Sequence, residues 1–378
     1  MKYYIIAGEA SGDLHGSNLM RAILAEQPDA AIRFWGGDRM AEVLKESGSP
    51  SLSQVRHIRD LAYMGFVEVL SHLGAIMGNI SFCKRDIDAF KPDTVVFIDY
   101  PGFNLKIAKY TRSKGYRNVY YISPQIWAWK KNRIRPMRRD LDRLCYILPT
   151  ERQFYAANNF PQAEYVGHPL LDEIERYRSG SASPLGYTDC KPVVALLPGS
   201  RRQELRRMLP GMVGFARLHS EIHFVVAAMS LIGEEFYRQF IPSGLDNVSL
   251  EFDRTYDILA ASRAAIVCSG TATLETALFR VPQVVCYQCS RISAAIVRLI
   301  VSSSVKYISL VNIIADRTVV AELIQDQYNP RRLEAEFGRI FADGEPREAM
   351  LADYDRLSVL LGGPGASSRT ARAVMNKE

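Results

Sequence analysis

Tyr3-Tyr4-Ile5-Ile6-Ala7-Gly8-Glu9-Ala10-Ser11-Gly12-Asp13-Leu14-His15-Gly16 passes from an unbroken apolar run into a string of small residues, two acids and a histidine. The apolar run predicts a strand buried on both faces, and the small residues after it let the backbone turn tightly into a helix and approach a ligand at that helix's N-terminus. The spacing is G-x-x-x-G-x-x-x-G and not G-x-G-x-x-G, and no acidic residue ends the next strand, which argues against NAD. Gly8, Glu9, Ser11, Gly12 and Asp13 therefore form either a ligand loop or a tight strand-to-helix connection.

The same grammar recurs along the chain. Short β-rich runs at Tyr3–Ala7, Ile32–Trp35, Thr94–Ile98, Val119–Ile122 and Cys145–Leu148 alternate with longer helical stretches. The series restarts near Lys191 with Val193–Leu197, Phe224–Ala228, Ala264–Cys268 and Gln283–Tyr287, after a Gly/Ser/Pro-rich linker around Ser179–Pro184. Such alternation predicts parallel sheets covered by helices: an α/β chain of two Rossmann-like, doubly wound domains facing a cleft, spanning residues 1–168 and 169–345. A charged helical segment, 346–378, follows and is expected to pack back on the first domain or on a partner subunit.

Composition agrees with this reading and excludes others. The chain has 378 residues, 48% hydrophobic and 23% charged, which suits about two domains with their own cores and neither disorder nor a fibre. Glu9 and Asp13 fall too early for a signal peptide, and no segment approaches the roughly 18 apolar residues of a spanning helix, so a cytoplasmic protein is expected. Six scattered cysteines fit reduced thiols; Cys286 and Cys289 form one C-x-x-C without a second ligand pair, and His219-Ser220-Glu221-Ile222-His223 is not H-E-x-x-H. No metal or cofactor is expected. The net charge of +6 is concentrated at Lys130, Lys131, Arg133, Arg135, Arg138 and Arg139, a patch for an anionic partner. A nucleic-acid binder would spread positive charge along a face interleaved with stacking aromatics, which this chain lacks.

Chemistry is expected at the strand ends. Thr94–Ile98 ends in Asp99, positioned either to accept a proton from an attacking hydroxyl or to cap the next helix. Leu197-Pro198-Gly199-Ser200-Arg201 places glycine, hydroxyl and guanidinium after another strand, and arginine's planar fork suits a diphosphate. Ser269-Gly270-Thr271-Ala272-Thr273-Leu274-Glu275 opens a helix whose free N–H groups suit phosphate oxygens, with Glu275 placed for ribose hydroxyls or simply for the helix dipole. Two such loops in one domain indicate a diphosphate-linked nucleotide. His168 is either a cleft residue or a hinge packing residue. The stripe Phe66, Val67, Val69, Leu70, Leu73, Ile76, Met77 and Ile80 has helical spacing and reads as core or as an exposed lipid surface.

With these residues assembled, the chain resembles the lipid A disaccharide synthase family from nearly its first residue to its last. The resemblance is carried by Ala7–Asp13, Met64–Leu70, Ile98–Asn104, Tyr121–Trp129, Gly167–Pro169, Leu197–Arg201 and Ser269–Glu275, in that order. It implies a GT-B glycosyltransferase that moves a sugar from UDP-2,3-diacylglucosamine to 2,3-diacylglucosamine 1-phosphate (lipid X), with inversion and without metal. It implies Asp99 as the base; Gly199, Ser200, Arg201, Ser269, Gly270, Thr271, Glu275 and Asn312 as the UDP site; and Gly8, Glu9, Ser11, Gly12, Asp13, Ser123, Gln125, Trp127 and His168 as the acceptor side. The same resemblance turns Phe66–Met77 with Lys130, Lys131 and Arg133 into a surface for acyl chains and anionic headgroups at the inner membrane of a Gram-negative bacterium, and implies a homodimer. One departure is visible: Val311 stands where the family has proline, so Asn312 either still reaches the nucleotide or serves the fold. Another GT-B enzyme acting on UDP-GlcNAc, such as a 2-epimerase or the peptidoglycan transferase, shares the glycine loops, but the Ser123–Trp129 block speaks against both.

Overall fold

The computed structural model describes residues 1–61, 73–126, 131–180, 185–187, 191–289 and 306–376. Two compact units divide the chain, Met1–Asp172 with Gly363–Glu378 and Glu173–Gly362. In the first unit β1 (Lys2–Ala7), β2 (Ala31–Gly36), β3 (Leu52–His57), β4 (Thr94–Ile98), β5 (Arg117–Tyr121), β6 (Arg143–Tyr146) and β7 (Ala163–Tyr165) form one sheet in the order β3-β2-β1-β4-β5-β6-β7. In the second, β8 (Val193–Leu197), β9 (His223–Ala228), β10 (Val248–Phe252), β11 (Ala264–Cys268), β12 (Gln283–Tyr287) and β13 (Ala321–Ile324) form β10-β9-β8-β11-β12-β13. Every pairing in both sheets is parallel.

Parallel order requires a helical crossover between successive strands, so both faces of the central strands are covered and unbroken apolar runs are what such strands need. Tyr3–Ala7, Val95–Ile98 and Val194–Leu196 are accordingly buried. Strand order reverses between β1 and β4 in one sheet and between β8 and β11 in the other. Crossovers on either side of such a point leave in opposite directions, and a crevice opens beyond the carboxyl ends.

The terminal segment divides differently from the expectation of a single piece from residue 346. The helix Glu345–Leu361 belongs to the second unit, where Tyr354 and Leu357 are buried; Gly362, at φ 78°, ends it, and only the helix Ala366–Met375 belongs to the first unit. That last helix is held at both ends. The Asp172 carboxylate accepts from the N–H groups of Gly365, Ala366 (3.2 Å) and Ser367 (2.8 Å), satisfying donors that have no partner inside a helix. Arg117 donates to the terminal carbonyls of Val374 (2.6 Å) and Ala373 (2.8 Å).

The apolar stripe is partly core. In the helix Leu73–Phe90, Ile80, Cys83 and Ile87 recur on the buried face, Ile76 packs against the same cluster, and Met77 is exposed. Ile76 is thereby withdrawn from the expected lipid-facing set, because its spacing from Ile80 and Cys83 puts it over the sheet. Phe66, Val67, Val69 and Leu70, and the side chain of Leu73, lie outside the described residues. Among the described residues no helix is long and apolar enough to cross a membrane.

Candidate active site

In the first unit the reversal point brings the Gly8 loop beside the Asp99 loop. A Cβ on Gly8 would lie 2.4 Å from the ring of Tyr100, so only glycine lets the two loops approach this closely. Asp99 and Tyr100 both adopt left-handed backbone, φ 43° and 49°. For residues with side chains this conformation stores about 1–3 kcal/mol each and persists only where neighbours enforce it. Here the enforcement is visible. Asn104 Nδ2 donates to the Asp99 carbonyl at 2.7 Å and the Tyr120 hydroxyl donates to it at 2.5 Å. The helix Pro101–Ser113 that follows has Tyr100 at its N-cap and no side-chain cap, so the helix-cap alternative does not describe Asp99. Burial pushes that carboxyl up to about 6, the charge of Glu9 pushes the same way, and the Tyr100 N–H pulls it partly back. A carboxylate ionised at neutral pH yet more basic than an ordinary aspartate is suited to take a proton.

The other acceptor-side residues separate into two groups. Glu9 is half-buried, and Ser11 and Gln125 are exposed. Asp13 is buried and occupied: it accepts from the N–H groups of Gly37 (2.6 Å), Arg39 (3.0 Å) and Met40 (3.1 Å), holding the start of the helix Asp38–Ser47. Its part is to tie the helix Ala10–Glu26 to the start of that helix. His168 is likewise buried, its Nδ1 accepting from the Leu170 N–H at 3.3 Å beside buried His15. Burial pushes His15 down to about 4 and His168 to about 3, so both are neutral at physiological pH and belong to the packing under the last helix. Ser123 is buried against Tyr155, while Trp127 and Lys130 fall outside the described residues. In the basic cluster Arg139 pairs with Asp140 at 2.6 Å and Arg138 donates to the Asn158 carbonyl at 3.2 Å, leaving Arg133 half-buried beside Lys131, whose side chain is not described.

In the second unit the loops after β8 and β11 meet at the corresponding point. Gly270, at φ 147°, opens the helix Thr271–Leu278, and the Ser269 hydroxyl donates to the Ile308 carbonyl at 2.9 Å. Glu275 accepts from the Tyr256 hydroxyl at 3.0 Å and is raised above the ordinary glutamate range, chiefly by burial. Arg201 stays half exposed and bonds Glu204 at 3.0 Å.

Asn312 takes the second of its two alternatives. It is fully buried, its Nδ2 donating to the Val320 carbonyl and to Glu322 (both 2.9 Å) and its Oδ1 accepting from the Val319 (2.7 Å) and Val320 (3.0 Å) N–H groups. With both donor protons and its oxygen engaged inside the unit, the side chain braces the turn before β13 and is withdrawn from the UDP set.

Asn104, Tyr120 and Glu204 shape these loops and were not singled out as site residues from sequence. Asn104 and Glu204 lie in the first turn of the helices that follow β4 and β8, which is the one signal that marks them; Tyr120 is indistinguishable in sequence from any core aromatic. His219 is bracketed by Glu221 (3.0 Å) and Glu334 (2.9 Å), a surface ion-pair arrangement.

Known proteins share the fold and, at higher identity, the family. Among solved structures, the UDP-GlcNAc 2-epimerase of Neisseria meningitidis bound to UDP-GlcNAc superimposes with a TM-score of 0.66 at 12% identity, covering 100% of both chains. CalG4, the calicheamicin glycosyltransferase, gives 0.61 at 16% identity over 99% of this chain and 98% of its own; both show the shared two-domain fold. The lipid-A-disaccharide synthase of Syntrophus aciditrophicus is 39% identical across 97% of this chain and 95% of its own, and that of Myxococcus xanthus 37% identical across 98% and 96%. The model of the lipid-A-disaccharide synthetase family matches residues 3–370, and the chain belongs to that family of glycosyltransferases.

Proposed function

We propose that this chain transfers the diacylglucosaminyl group of UDP-2,3-diacylglucosamine to the 6-hydroxyl of 2,3-diacylglucosamine 1-phosphate, giving a β-1,6-linked disaccharide 1-phosphate and UDP. The observation that carries the reading is Asp99, a half-buried carboxylate held in strained backbone at the β1/β4 reversal point of a chain in this family. The acceptor oxygen attacks the anomeric carbon while its proton passes to Asp99. The bond from that carbon to the UDP oxygen breaks, its electron pair staying on the diphosphate. One displacement inverts the anomeric centre. Arg201 and the N-terminus of the helix Thr271–Leu278 stabilise the departing charge electrostatically, and Glu275 meets the ribose. On the acceptor side, the loop Gly8–Gly12 with Glu9 and Ser11 orients the glucosamine.

The acyl chains of both substrates are insoluble in water, which supports a reaction at the cytoplasmic face of the inner membrane. Exposed Met77 and the cations Lys130, Lys131 and Arg133 would meet that surface, and association into a homodimer belongs to the same proposal. The test is direct. Purified protein in detergent, given the diacylated UDP-sugar and lipid X, should release equimolar UDP and disaccharide; no product with both lipids present overturns the reading.

A further inference from the structure

The loop after β8 carries an internal counter-charge. The carboxylate of Glu204, one turn into the helix Arg202–Ala216, folds back so that Oε2 accepts from the N–H groups of Ser200 (3.0 Å) and Arg201 (3.2 Å) while Oε1 accepts from the Arg201 guanidinium (3.0 Å). The fold-back needs Gly199. A Cβ there would lie 2.5 Å from Oε2 and 2.8 Å from the Glu204 Cβ, and its φ of 106° disfavours any other residue. The pair lies over the carboxyl ends of the central strands, since both charges are felt at Cys268, which ends β11, and at Tyr287, which ends β12.

The two phosphate-competent loops are therefore not equivalent. In the loop after β8, the Ser200 and Arg201 N–H groups are already engaged by Glu204. In the loop after β11, the first N–H groups of the helix Thr271–Leu278 have no carboxylate folded over them among the described residues. From the first loop the Ser200 and Arg201 side chains reach solvent, and of the two only Arg201, 52% exposed, carries positive charge.

We propose that Glu204 is the positioning residue of the diphosphate subsite: it locks Arg201 in place for the diphosphate, and backbone recognition of phosphate is left to the 270–272 turn. This rests on the UDP-sugar reading above. A carboxylate so close to a bound dianion is tolerable because the guanidinium and the helix N-terminus neutralise it, and an arginine already held loses less rotamer freedom on binding. Removing the anchor should weaken diphosphate binding without touching uracil or ribose contacts.

The experiment measures UDP and UMP affinity by calorimetry for the wild type, Glu204→Ala, Glu204→Gln, Arg201→Ala and the Ala/Ala double variant, with thermal melts as a folding check. Glu204→Ala should weaken UDP about tenfold and UMP less than threefold, and Glu204→Gln, which keeps an acceptor for the backbone N–H groups, should lie between wild type and Ala. In the double variant the Glu204 change should add nothing to Arg201→Ala. Tighter UDP binding by Glu204→Gln would make the carboxylate a competitor of the diphosphate and overturn the proposal. So would unchanged UDP affinity, equal losses for UDP and UMP, or additivity with Arg201→Ala. A wild-type chain that binds no UDP overturns the UDP-sugar reading itself, a result separable from all of these.

Discussion

The β1/β4 and β8/β11 reversal points occupy the same place in two copies of one topology, yet they are chemically opposite. The first gathers carboxylates, Glu9 and Asp99, in backbone strained to left-handed φ at two consecutive residues. The second gathers a guanidinium and a helix N-terminus, and neutralises its own surplus charge through Glu204. The proposed transfer makes two electrostatic demands: a base gains basicity from desolvation and nearby negative charge, whereas a diphosphate holder must present donors. The loops of the first unit suit the former demand and those of the second unit the latter.

The sharpest way to break this comparison is Asp99→Asn. Turnover should fall by about 10³-fold, within the range for loss of a positioned base, with UDP affinity changed less than twofold; an active variant removes the proton-accepting role from the first unit. The same variant should be more stable at pH 7. Asp99 binds its proton more tightly folded (about 6) than its ordinary value of 3.8, so its ionisation opposes folding: stability falls as pH rises between these values, by at most about 3 kcal/mol. A higher melting temperature at pH 7 and none at pH 4 checks the sign.

Arg201→Ala tests the opposite pole. UDP affinity should drop about thirtyfold, as expected for a charge-assisted contact, while the pH dependence of turnover keeps its shape. Glu9→Gln gives a smaller, more diagnostic effect. The acid limb of kcat against pH, expected near 6, should move downward because one of the influences raising Asp99 is gone; an unmoved limb separates Glu9 from the base. The smallest effect on binding is expected from Asn312→Ala, which should leave UDP affinity within twofold while lowering stability by about 2–3 kcal/mol, since backbone N–H groups and Glu322 lose buried partners. A large loss of UDP affinity without loss of stability would restore Asn312 to the nucleotide site.

The last helix offers a pH test outside the active loops. Burial lowers His15 and His168 in the folded chain, so the unfolded chain binds more protons between about pH 3 and 6.5, and stability falls as pH falls through that window. His168→Gln should flatten the acid side of a melting-temperature profile.

Every central strand was legible in the chain itself, because strands covered on both faces must be apolar throughout. Leu52–His57, Ala163–Tyr165, Val248–Phe252 and Ala321–Ile324 were not, and they are the four outermost strands of the two sheets. An edge strand is bonded on one side and half exposed, so its sequence carries polar residues and no continuous hydrophobic signal. The start of β6 was displaced for a related reason: its pairing Val119↔Arg143 begins on a charged residue.

The active loops divide along the same line. Glycines, Asp99 and Arg201 could be read from sequence because they follow apolar strands directly, and a strand end in an open α/β sheet is where ligands bind. Tertiary structure alone decided which polar groups are available there. Asp13, His168 and Asn312 resemble site residues in the chain, but packing engages them with backbone partners brought from elsewhere; Asn104, Tyr120 and Glu204 acquire their roles only when the folded backbone presents them with a carbonyl, a pair of N–H groups or a guanidinium. Hydrophobic runs are local and survive in one dimension, whereas a hydrogen bond's partner is a fact of three.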